Sequence, residues 1–181
     1  MSNVPKSRRE EHDFIATHNL RALRKAVTEI ALYDFGYDKD RYEQRIQKFS
    51  EYLEKTDCKD KEAVIAKMRL KNETFFTDFV EEETRITRQI MRDVVAEFEM
   101  GNSIYPSGEA LKAEYNERRL HLDRAIGHLY VLKQELQYIA ENLPCDKNKY
   151  DGIIQEIKKE VSLIKGVRRA TNKFLKKTSE K

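Results

Sequence analysis

A seam of apolar residues spaced three and four apart, Leu122, Ala125, Leu129, Leu132, Leu136 and Ile139, runs unbroken through the second half of this chain. That period fits the 3.6-residue helical turn and no strand repeat, and it is the seam on which helices pack at shallow angles. Comparable stripes recur at Ala16, Leu20, Leu23, Val27 and Ile30, and again at Phe79, Ile86, Ile90, Val94 and Phe98. A fourth runs through Tyr150, Ile154, Ile157, Val161 and Ile164. Six Gly and three Pro in 181 residues leave too few turn formers for a β-sandwich, and 37% charged residues suit helices with one buried stripe and a solvated back.

The punctuation divides the stripes. A polar lead-in covers residues 1–11, and a helix is expected over about 12–34, closed by Gly36 as a left-handed cap. Residues 38–72 carry two short stripes, Tyr42/Ile46/Phe49/Leu53 and Val64/Met68. They read as a helical insertion with a turn at 56–60 and Asp57 as a candidate cap. A long helix then runs to about Met100, followed by a break over Gly101–Gly108. The next helix ends near Asn142, and Leu143-Pro-Cys-Asp146 forms a tight connection to the last one. Short connections make neighbours antiparallel. The expectation is a single helical domain over 1–181, all-α, an antiparallel up-down four-helix bundle with a helical insertion between its first and second main helices. No self-similarity at solenoid periods supports a repeat array.

Several chemistries are excluded. Di-iron bundles need Glu three residues before His, but Arg9, Ile15, Arg118 and Ala125 precede His12, His18, His121 and His128 at that spacing. His121 and His128 stand seven residues apart, about 10 Å along a helix, too far to share one metal. No phosphate loop or dinucleotide fingerprint is present. Helical endoribonucleases of the HEPN class use a longer Arg-to-His spacing than the three intervening residues of Arg124–His128 or Arg8–His12. The reading is therefore not an enzyme, with no cofactor and no metal. Two cysteines without metal spacing, no apolar run long enough to span a bilayer and a polar start point to a reduced, cytoplasmic setting without membrane contact.

Charge is the remaining signal. The net +3 conceals a body of −7 over residues 26–157 between ends of +3 (1–25) and +7 (158–181). Lys158, Lys165, Arg169, Lys173 and Lys176 recur at helical spacing, a row on one flank of the last helix, with 176–181 a basic tail. Arg168 falls on the seam, where a partner must neutralise it or the bundle must open. Such a row suits the backbone of a polyanion, or complements a helix C-terminus and a solvated tail. Tyr105, Tyr115, Tyr130 and Tyr138 suit either base stacking or the rim of a bundle. Leu163 and Val131 lie off their seams, as in helices that touch a further subunit.

One resemblance joins these observations. Asn102-Ser-Ile-Tyr-Pro106, Tyr115, Arg118-Arg119, Ala125-Ile126, Glu135-Leu-Gln-Tyr-Ile139, Leu143-Pro144 and Lys149-Tyr150 occur in order. Leu163-Ile-Lys-Gly166, Arg168-Arg169 and Asn172-Lys-Phe174 follow, and Val4-Pro-Lys-Ser-Arg8 opens the chain. This set resembles the accessory variability determinant proteins of diversity-generating retroelements over the N-terminus and residues 75–175. The resemblance implies a positively charged homo-oligomer, a pentamer in known members, that binds a reverse transcriptase and its structured template RNA. The implied contacts are Arg118, Arg119, Lys165, Arg168, Arg169 and Lys173. The competing expectation is a structural homo-oligomer or protein-interaction module without a nucleic-acid role.

Overall fold

The computed structural model describes the backbone of residues 6–56, 58–106 and 111–179, and side chains within 15–56, 58–106 and 111–172. Five helices account for nearly all of it: α1 (Lys6–Leu32), α2 (Lys39–Lys55), α3 (Lys61–Ser103), α4 (Leu111–Asn142) and α5 (Asn148–Ser179). The chain is all-α, and the described residues form no strand, only an isolated bridge between Tyr37 and Cys145.

Cross-helix contacts fix the directions. Asn19 meets Glu160 while the Phe35 carbonyl meets Tyr150, so α1 and α5 run antiparallel. Asp123 meets Arg168 and Tyr130 meets Lys165, which makes α5 antiparallel to α4. Glu97 meets His121 and Phe79 meets Tyr138, so α3 opposes α4 as well. Since α1 also packs on α3, the four long helices close a cycle around one apolar core. Leu122, Leu129, Leu132, Leu136 and Ile139 are wholly buried there, as the heptad seam requires.

Several boundaries differ from expectation. Helix α1 begins at Lys6, inside the expected polar lead-in. It ends in a tight 3-10 turn over Asp34–Gly36, where Gly36 takes the expected left-handed conformation at φ +73°. Asp34 and Phe35 share that region at φ +49° and +54°, although neither is glycine. Burial of the Phe35 ring and the bond from Tyr150 Oη to its carbonyl, 2.8 Å, hold the chain in a conformation its residues disfavour.

The 38–72 segment divides differently too. Only α2 leaves the cycle; residues 61–72 continue without a break into the 43-residue α3. Asp38 caps α2, its Oδ1 accepting from the Asp40 and Arg41 amides at 3.0 and 3.1 Å. The expected cap Asp57 lies outside the described residues, and Asp60 occupies the N-cap position of α3. α2 folds back on the first turns of α3 through Glu43–Arg69 and the Tyr42–Phe76 ring contact.

Gly101 belongs to α3 rather than to a loop. A Cβ there would stand 3.3 Å from the Arg118 carbonyl, so its bare Cα permits the close approach of α4.

Candidate nucleic-acid interface

The cationic row of α5 begins from its seam. Ile153, Ile157, Val161, Ile164 and Val167 are buried, and the seam continues to Thr171. Ile153, rather than Ile154, sits on the buried side. Lys158, Lys165 and Arg169 lie about 100–145° around the helix from the centre of that seam, and Lys165 reaches α4.

Each expected contact residue has a definite place. Lys158 and Arg169 are exposed and make no ion pair among the described residues. Lys165 Nζ donates to Tyr130 Oη at 3.0 Å. With the ring centroid 5.5 Å away, the ammonium lies off the hydroxyl end of the ring, so this is a hydrogen bond more than a cation–π pair. Lys165 thus keeps an uncancelled charge. Lys173 and Lys176 lie on the α5 backbone, and their side chains fall outside the described residues.

The remaining three have partners within the chain. Arg168 is not on the seam; Val167 holds that position, and Arg168 pairs with Asp123 of α4. Its neutralisation requires neither an opening of the helical core nor an outside partner. Arg119 approaches the same carboxylate at 3.7 Å. Arg118 occupies a seam position of α4, where Nη1 donates to the Ile104 carbonyl at 3.0 Å and Nη2 reaches Asn102 Oδ1 at 3.5 Å. It ties the end of α3 to α4 and is not presented to a ligand. The expected cluster therefore resolves into a flank of Lys158, Lys165 and Arg169, the exposed Arg119 beside the Arg168–Asp123 pair, and Arg118 tied to the end of α3.

The tyrosines separate likewise. Tyr115 is buried, Tyr105 is exposed, and Tyr130 and Tyr138 are half exposed along α4. His121 Nδ1 lies 2.6 Å from Glu97 Oε2, with Arg124 3.9 Å from the other carboxylate oxygen, an interhelical polar clasp. Both cysteines are free, and the described residues hold no cluster of His, Cys, Asp or Glu able to bind a metal.

Comparison with known proteins finds no match. No family model, no curated protein and no solved structure is similar to this chain. No described helix is long and apolar enough to cross a membrane.

Sequence reasoning missed two buried carboxylates. Glu160 is 0% exposed on the α5 seam, its Oε2 accepting from Asn19 Nδ2 at 2.8 Å while Oε1 has no hydrogen-bond partner among the described residues. Burial pushes it up to about 7; the Asn19 bond and Lys159 pull against that, and Glu156 adds to it. Glu83 of α3 is 5% exposed and also raised to about 7, first by burial and then by the neighbouring Glu135 carboxylate of α4. The antiparallel registers set both pairs at a similar height in the molecule. The detectable signal was the heptad frame itself: Glu160 stands three after Ile157 and four before Ile164.

Proposed function

We propose that this chain is a non-catalytic accessory protein that binds structured RNA, or DNA, together with a reverse transcriptase, and supports retroelement cDNA synthesis as a homo-oligomer. The architecture in this reading is an antiparallel up-down four-helix bundle with a helical insertion after its first helix. The observation that carries it is the flank of Lys158, Lys165 and Arg169, three cations on one line of α5 without an anion among the described residues. Phosphates held along such a row displace counterions and fix position without reading sequence. An oligomer presents several rows at once and raises their effective concentration. The sequence resemblance to the accessory variability determinant proteins supplies the polymerase and the RNA.

A specific observation favours the second reading, a structural homo-oligomer. Leu120, Val131 and Tyr138 of α4 are each about half exposed, and apolar side chains on the outer side of a helix suit a subunit contact.

One experiment separates the two. Binding of a labelled hairpin RNA is followed by anisotropy over a salt series, with the mass in solution measured alongside. The expected result is an oligomer whose affinity falls steeply with salt. Changing Lys165, Arg169 and Lys173 together to Glu abolishes binding while far-ultraviolet circular dichroism stays helical. An unaltered affinity in that variant leaves the structural oligomer as the reading.

A further inference from the structure

A second cationic feature lies at the opposite end of α5. Arg41, Gln44, Arg45 and Lys48 of α2 are spaced i, i+3, i+4 and i+7, a single helical face. They form one wall of an open concavity of about 430 Å³, whose other wall is the α4–α5 connection with Asp146 and Lys147. Four of these side chains are cationic and one is a carboxylate. Asp146 already accepts from the Asn148 amide at 3.2 Å and lies 3.7 Å from Arg41, which also contacts Asp38 at 3.3 Å. Arg45, Lys48 and Lys147 are exposed and have no anion among the described residues.

We propose that this concavity binds phosphate groups, those of a nucleic-acid strand or of a free phosphorylated compound. A concave wall of like charge focuses the local potential, and guanidinium groups pair with phosphate oxygens through two parallel hydrogen bonds. The same face of α2 continues to Tyr52, which is 59% exposed, and to Lys55, with Glu51 at its edge accepting from Gln47 at 3.3 Å. A ring beside a row of cations provides the stacking platform that unpaired bases use. The first α5 amides are satisfied by Asp146 and Lys147, so the helix contributes its positive end as a field rather than as donors.

The site is separate from the α5 flank. Lys147 and Arg169 are 22 positions apart, about 30 Å along a helix, too far for one phosphate to touch both. For a nucleic-acid strand the proposal rests on the RNA-binding reading; for a free phosphate compound it does not.

The test titrates the isotope-labelled full chain with inorganic pyrophosphate at ionic strength held constant with sodium chloride. Saturating shifts at the Arg45, Lys48 and Lys147 amides, lost when all three become Glu, are expected. A Gln triple variant with unchanged thermal unfolding guards against misfolding. In parallel, hairpin RNA binding is measured against salt, where losing these contacts lowers the slope of log K by about 2. A lowered slope identifies a strand as the ligand; saturating pyrophosphate shifts with an unchanged slope identify a free phosphate compound. Shifts that merely follow chloride, with an unchanged RNA slope, overturn the proposal and leave the α5 flank standing. Saturating pyrophosphate shifts in a protein that binds no RNA sink the α5 reading alone.

Discussion

Glu160 illustrates how much one side chain decides. It sits between Ile157 and Ile164 on the α5 seam, wholly buried, with a single hydrogen bond for two oxygens. Its proton affinity in the folded state is raised from 4.5 to about 7, so the folded protein binds the proton more tightly than the unfolded chain. The contribution of this group to stability is therefore full below pH 4.5 and declines as pH rises through about 7, by at most about 3 kcal/mol. Glu160→Gln keeps an acceptor for Asn19 and removes the charge. At pH 8 its melting temperature is expected to exceed that of the parent by roughly 4–8 °C, with no gain at pH 4.5. Equal differences at the two pH values would show that ionisation at this position carries no such cost.

At the scale of elements, junctions are set by contacts between segments far apart in sequence. The 3-10 turn joins α1 to α2, yet Tyr150 of α5 holds it, donating to the Phe35 carbonyl at 2.8 Å. Burial raises this phenol further above its ordinary value, so it remains a neutral donor at any working pH. Tyr150→Phe leaves that carbonyl buried and unpaired. The expected cost is about 1–2 kcal/mol, seen as a lower melting temperature and as faster hydrogen exchange over residues 33–38. Exchange unchanged in that stretch would mean that the turn is held without the hydroxyl.

For the whole molecule, electrostatics follow from which charges are cancelled inside the chain. Asp123 takes both Arg119 and Arg168 at the groove between α4 and α5, beside the free flank of α5. Asp123→Asn releases two cations next to Lys165 and Arg169 without adding bulk. The variant is expected to bind hairpin RNA several-fold more tightly at low salt, with a steeper salt dependence measured by anisotropy. Identical affinity and slope would remove the α4–α5 groove from any RNA contact. The cationic concavity and the cationic flank both lie along α5, the first at its start with α2 and the second along its length beside α4.

The heptad seam of α4 was legible in full, because a repeat at 3.5–3.6 residues admits only a helix with one buried side. The left-handed Gly36 was legible for a similar reason, since local backbone chemistry acts within a few residues. The continuity of α3 was not legible: the polar stretch before Phe79 resembles a break until Glu43 and Tyr42 of α2 pack against it. Nor was the sorting of the arginines, since Arg118, Arg168 and Arg169 look alike until Ile104 and Asp123 are brought beside the first two. By itself the sequence determined an all-helical chain, its four apolar stripes and its basic end, all of them properties of local spacing. Tertiary structure alone decided which cations stay free, which carboxylates lose water and where α2 meets the α4–α5 connection. Those outcomes depend on partners 14 to 141 positions away, and no local pattern encodes such distances.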